Sequence, residues 1–221
     1  MAMHINSDFS RPAIVDRSKA EWVSSPEPGV ERIMLDRIGD EVARATSLVR
    51  FAPGSSFSHH EHAKGEEFLV LAGVFSDESG DYPAGTYVRN PPGSGHAPFS
   101  QGGCRILVRL RQFDPQDLQP AVIGTQSPAL WQAGDDADYL PLHSFGNEEV
   151  AMARIARGRK YSAAANPGGV EMLVVTGALR YGDDDLCAES WLRFPAGHAA
   201  SLTIVEDGIL WIKRGHLSAS H

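Results

Sequence analysis

Cysteine is nearly absent from this chain: Cys104 and Cys187 are the two in 221 residues. They form no Cys-x2-Cys pair, which excludes a disulfide framework and a thiolate zinc site and points to a reducing compartment. Long apolar runs are missing as well. No stretch approaches the roughly 20 apolar residues of a membrane-spanning helix, and the opening MAMHINSDFSRP lacks the apolar core of a secretory signal. Positive charge is scarce, with 20 Lys and Arg against 28 Asp and Glu for a formal net charge of −8. The basic residues are scattered singly, whereas phosphate recognition needs them clustered. No nucleic-acid or membrane partner is therefore expected, and the reading is a soluble, acidic, cytoplasmic protein. Sustained helical periodicity is also lacking, apart from a short stretch near Pro128–Gln132.

What the chain does have is 22 glycines and 14 prolines punctuating short apolar segments. Several of these alternate with period two. In CRILVRLRQF, Cys104, Ile106, Val108 and Leu110 fall on one face, and Arg105, Arg109 and Arg111 fall on the other, the expected solvent face. Short alternating strands between frequent turns predict an all-β chain: a sandwich, barrel or jelly roll.

The chain also repeats itself. Aligning Gly73 with Gly177 gives an offset of 104 (177 − 73), which pairs Gly54 with Gly158, Gly65 with Gly169, Glu67 with Glu171, Pro91 with Pro195 and Gly93 with Gly197. An internal duplication follows. It predicts a first unit over 1–115, a connector over 116–138 and a second unit over 139–221. Four positions break the likeness together: His60, His62, Glu66 and His96 become Ala164, Asn166, Val170 and Ala200. Residues lost together serve one purpose, whereas the retained Glu67 and Glu171 serve the scaffold.

Those four side chains can meet. His60 and His62 are two apart, so on a strand they share a face, with His59 and Glu61 on the opposite one. Glu66 begins the next extended segment after a turn at AKG, and His96 follows the rigid turn NPPGSG. Three neutral imidazoles and a carboxylate suit one divalent transition metal: Fe2+ or Zn2+ foremost, with Mn2+ or Ni2+ as further choices.

The spacing resembles a known family. Gly54-x5-His60-x-His62-x3-Glu66-x6-Gly73 is similar to the first cupin motif, and Gly85-x5-Pro91-x-Gly93-x2-His96 to the second; Ser100 stands where that motif ends in Asn. Over Phe51–Phe113 the wording resembles the cupin-like domain of ChrR-type anti-sigma factors and the small diketone-cleaving dioxygenases. The resemblance implies two tandem cupin units, each a jelly-roll β-barrel, of which the first holds the metal through His60, His62, Glu66 and His96. It also implies an apolar lining from Phe68, Val70 and either Phe57 or Tyr87.

The remaining candidates read as structural. His198 is expected to be structural or exposed, and His4, His143, His216 and His221 to be solvated. Cys104 lies on an apolar face, and Cys187 follows the acidic GDDDL loop, so neither is expected to be a catalytic thiol. Leu69 and Leu71 are assigned to packing between units or subunits. Two functions follow from the resemblance. One is a metal-dependent oxidation of a small organic molecule. The alternative is a non-catalytic regulatory or stress-sensing module. The zinc-binding, sigma-gripping domain of ChrR-type proteins has no counterpart, because no His-x3-Cys-x2-Cys occurs here, so sigma-factor binding by that route is not expected. A small-molecule ligand and a homodimer complete the expectations.

Overall fold

Twelve consecutive residues, Glu66–Asp77, form the strand on which the first unit is organised. Its first half pairs antiparallel with Cys104–Leu110 and with Thr86–Asn90. Its second half pairs with Gly80–Pro83 and reaches Phe99. Gly73 stands at the changeover. Its φ of 71° is left-handed, and a Cβ there would lie 2.1 Å from the Gly103 carbonyl oxygen. Glycine alone tolerates both conditions. A register shift opposite, between Arg105 and Ile106, bends the sheet at the same level.

The computed structural model describes residues 3–40 and 42–217. The chain is all-β and divides into two units: residues through Ser7 with Glu21–Gln126, and Asp8–Ala20 with the residues from Ser127 onward. The first unit's strand order is His4–Ile5, Val30–Ile38, Arg44–Phe51, Cys104–Leu110, Glu66–Asp77, Thr86–Asn90, Ala121–Gly124. The second runs Asp138–Phe145, Glu148–Ile155, Ala200–Arg214, Val170–Tyr181, Trp191–Phe194, Ala13–Val15. Each is an antiparallel jelly roll around its own apolar core. The 104-residue offset recurs strand for strand: Arg44–Phe51 answers to Glu148–Ile155, and Glu66–Asp77 to Val170–Tyr181.

The two units differ in how they close one edge. In the first, the strand Thr86–Asn90 is covered by Ala121–Gly124, which follows it in the chain. In the second, Trp191–Phe194 is covered by Ala13–Val15, with Ala13 opposite Arg193 just as Ala121 stands opposite Arg89. An edge strand left bare exposes unpaired backbone groups. This is why residues 8–20, placed in the first unit by contiguity, belong with the second, and why the predicted connector contains a strand of the first. Near Pro128–Gln132 the helical stretch is a single 3-10 turn, Pro128–Leu130, ended by an extended Trp131. Among the described residues no helix is long and apolar enough to cross a membrane.

The face expected to carry solvated arginines is buried in part. Arg105 is exposed, but Arg109 is 1% exposed. It stands opposite Glu67 and donates to it at 3.1 Å. Glu67 also accepts from the Tyr87 hydroxyl at 2.7 Å and faces Arg89 at 3.6 Å; Arg89 reaches Asp117 at 2.5 Å. The second unit repeats the device. Glu171 accepts from Trp191 Nε1 at 2.8 Å and pairs with His216 at 2.9 Å. His216 is thus a buried partner of a carboxylate and not a solvated histidine. Alternation along a strand tells which residues share a face, not whether water reaches that face.

Candidate metal centre

His60 and His96 face one another in a two-residue antiparallel pairing, His60–Glu61 with Gly95–His96. Gly95 makes this approach feasible, since a Cβ there would stand 2.7 Å from the His60 carbonyl oxygen. His62 follows on the same face as His60, while His59 and Glu61 alternate with them and are exposed. Glu66 opens the long strand and is buried. The ligand atoms of His60, His62, Glu66 and His96 all lie within 4.8 Å of one another. Ring centroids are 5.1 Å apart for His60–His62 and for His60–His96, and 4.7 Å for His62–His96. Glu66 Oε2 lies 3.5 Å from His62 Nε2 and 3.4 Å from His96 Nε2.

Hydrogen bonding outside the cluster decides which nitrogen faces in. His60 Nδ1 donates to the Ser58 carbonyl at 3.1 Å, and His96 Nδ1 to Asp77 Oδ2 at 3.0 Å. His62 Nδ1 is 3.0 Å from Ser94 Oγ, whose own proton is committed to the Pro91 carbonyl at 2.7 Å. The serine oxygen must therefore accept from Nδ1. All three Nε2 atoms are left as bare lone pairs converging on one point, the tautomer a metal requires. Those of His62 and His96 are buried without a hydrogen-bond partner, which is costly unless something else satisfies them. Asn90 Nδ2 donates to Glu66 Oε2 at 3.1 Å and aims the carboxylate. Donors about 2.0–2.2 Å from a shared ion stand roughly 3–4 Å apart, close to these separations. The four residues fit a divalent ion.

Burial first of all depresses the pKa of His62 below its usual 6.5; Glu66 pulls the other way. The sign follows. Above pH 6.5 the imidazole is neutral whether the protein is folded or not. As pH falls through 6.5 the unfolded chain takes up a proton that the folded one refuses, so metal-free protein loses stability until the lowered pKa is passed. Urea unfolding in chelator between pH 7.5 and 5.5 will show a shallower loss for His62→Asn than for wild type.

His60, His62 and Glu66 lie in the wall of a cavity of about 470 Å³ lined by Phe51, Phe57, Phe75, Ile106, Val108 and Leu110, with Arg111 also on its lining. Of the expected lining, Phe57 is present. Phe68 and Val70 lie in the packed core, and Tyr87 points to the opposite face, toward Glu67.

Sequence reasoning missed the supporting residues Asp77, Asn90 and Ser94, yet the same offset carries their signal. They become Tyr181, Phe194 and His198, an aromatic row with centroids 5.2 Å apart for each neighbouring pair, edge-on between Tyr181 and Phe194 and stacked between Phe194 and His198. His198 is accordingly structural, lying parallel to Phe194. Val170 and Ala200, at the places of Glu66 and His96, join the buried core of the second unit. Cys104 is buried, which raises its thiol pKa, and Cys187 is exposed.

Fold and cluster together define the class: cupin-type barrels, the first carrying a three-histidine, one-glutamate constellation. The family model of the ChrR Cupin-like domain matches residues 10–114, which contain the whole cluster. Among solved structures, a Nostoc punctiforme protein provisionally assigned as a dioxygenase is similar at 17% identity and TM-score 0.72, over 96% of this chain and 85% of that one. The Escherichia coli pirin YhhW in complex with nickel(II) is similar at 12% identity and TM-score 0.67, over 92% and 98%. A cupin 2 conserved barrel domain protein from Leptotrichia buccalis is similar at 12% identity and TM-score 0.61, over 95% and 98%. Identities this low establish the fold alone. No curated protein matches the sequence.

Proposed function

We propose that the first unit holds one divalent transition metal through His60, His62, Glu66 and His96, iron(II) in its working state, and oxidises a small organic molecule with dioxygen. The observation that carries this reading is the pair of buried, unpartnered Nε2 atoms of His62 and His96 directed at Glu66. The metal would supply Lewis acidity and a redox partner for oxygen. The protein supplies the rest. Ser58, Ser94 and Asp77 hold the three imidazoles in one tautomer, Asn90 orients the carboxylate, and the apolar cavity receives the substrate and restricts water. Three imidazoles and one carboxylate would hold the ion and would leave it able to accept further ligands. A solved neighbour provisionally assigned as a dioxygenase supports the oxidation, and a pirin in complex with nickel(II) supports the divalent ion.

The test is oxygen uptake by anaerobically iron-loaded protein given β-diketones and aryl ketones. Turnover that disappears in His60→Ala supports the proposal, and no turnover across the panel sinks the catalytic part. Asp77 bears on the metal separately. Asp77→Asn will weaken metal binding by about 10–100-fold, because the carboxylate raises the basicity of His96; competition with a chromophoric chelator measures this.

A non-catalytic sensing role is the second reading, favoured by the ChrR Cupin-like match. Metal-dependent, His60-dependent capture of a purified sigma factor would support it, and capture that ignores His60→Ala would count against it.

A further inference from the structure

We infer that the cavity takes a small organic acid, its carboxylate bound by Arg111 and its apolar body packed against the phenylalanine and aliphatic lining; this rests on the proposed function of the same site. Arg111 lines the cavity, is half-buried and has a backbone φ of 62°. That conformation is left-handed, and it crowds the Cβ of any residue other than glycine. In the second unit the same place excludes any side chain, because a Cβ there would lie 1.7 Å from the Asn147 carbonyl oxygen. The equivalent residue is Gly215, with φ of 78°. The same hydrogen bond holds each: Arg111 N–H to the Gly65 carbonyl at 2.9 Å, and Gly215 N–H to the Gly169 carbonyl at 3.1 Å. The unit with the ligand cluster thus carries a strained arginine where its twin, whose equivalent space is packed, carries glycine. Strained residues persist where their side chain has a task.

Arg111 is the one Lys or Arg among the described residues of that lining. Three acids share that lining: Glu61, which is exposed, Glu66, which belongs to the cluster, and Glu27, which is half-buried. Against these stand the guanidinium and, in the loaded protein, an ion whose double charge Glu66 only half neutralises. A carboxylate matches the planar donor fork of an arginine, and the apolar lining demands a hydrocarbon or aryl body behind it.

The test uses wild type, Arg111→Gln and Arg111→Gly, loaded with zinc so that no turnover intervenes. Each is titrated calorimetrically with phenylacetate and hexanoate and with their neutral amides. Wild type will bind each acid at least about tenfold more tightly than its amide, as a charge-assisted hydrogen bond implies. Both variants will lose that preference while keeping amide affinity within about twofold. Arg111→Gly guards against misfolding, because it relieves the left-handed strain and will melt no lower than wild type. Acid preference undiminished in the variants, amides binding as well as acids in wild type, or neither acid binding up to about 10 mM each overturns the inference. Zinc content is measured on every sample. A wild type that takes up no zinc defeats the metal reading, and the acid–amide comparison on zinc-free protein still decides the role of Arg111.

Discussion

Protein purified with His96→Ala will contain almost no divalent metal, while wild type prepared alongside will contain about one ion per chain. Metal analysis of anaerobically purified protein is the measurement. His96 supplies one of the converging Nε2 atoms and contacts the carboxylate of Glu66 at 3.4 Å. Disturbing an outer partner of a metal-bound histidine alone costs 10–100-fold, so removing the imidazole will cost more than about 100-fold. Glu66→Val will lose the metal as completely but will leave a metal-free protein at least as stable as the wild-type apoprotein. Valine already stands at the equivalent Val170, buried in a packed core, and the substitution removes a buried carboxylate whose neighbours are neutral imidazoles. Wild-type levels of metal in either variant would place the ion elsewhere and undo the proposed function.

Glu67→Val, one residue along, will do the opposite. Glu67 is 2% exposed and sits among Arg109 at 3.1 Å, Arg89 at 3.6 Å and the Tyr87 hydroxyl at 2.7 Å. Valine there leaves Arg109, itself 1% exposed, without its carboxylate. Removing one partner of a buried ion pair costs about 3–5 kcal/mol, roughly a 10 °C fall in melting temperature for a chain of this size. The metal affinity of the fraction that stays folded will change little, because Glu67 faces away from the cluster. Calorimetric scans of the two valine variants with and without metal separate these roles. Equal melting temperatures for both apoproteins would contradict the assignment of Glu67 to the scaffold.

The contrast between two adjacent glutamates was already visible in the sequence. The offset of 104 retains Glu67 as Glu171 and replaces Glu66 by Val170; the structure puts the retained residue in a buried charge network and the replaced one beside three imidazoles. The same comparison would have found Asp77, Asn90 and Ser94 had it been extended beyond the positions of the motif ligands. It could not have shown that Arg109 is buried or that Phe68 and Val70 are core and not cavity wall, because those outcomes depend on what the sheet is packed against.

By itself the sequence determined the all-β class, the duplication and the four side chains that differ between its copies, because period-two patterning, turn residues and motif spacing are local properties written along one chain. Only the tertiary structure decided that residues 8–20 close the edge of the second unit, that each inward Nε2 is a bare lone pair, and that Arg111 lines the cavity. Each of those depends on groups far apart in the chain competing for the same hydrogen bonds and the same space, and no pattern within a short stretch encodes the winner.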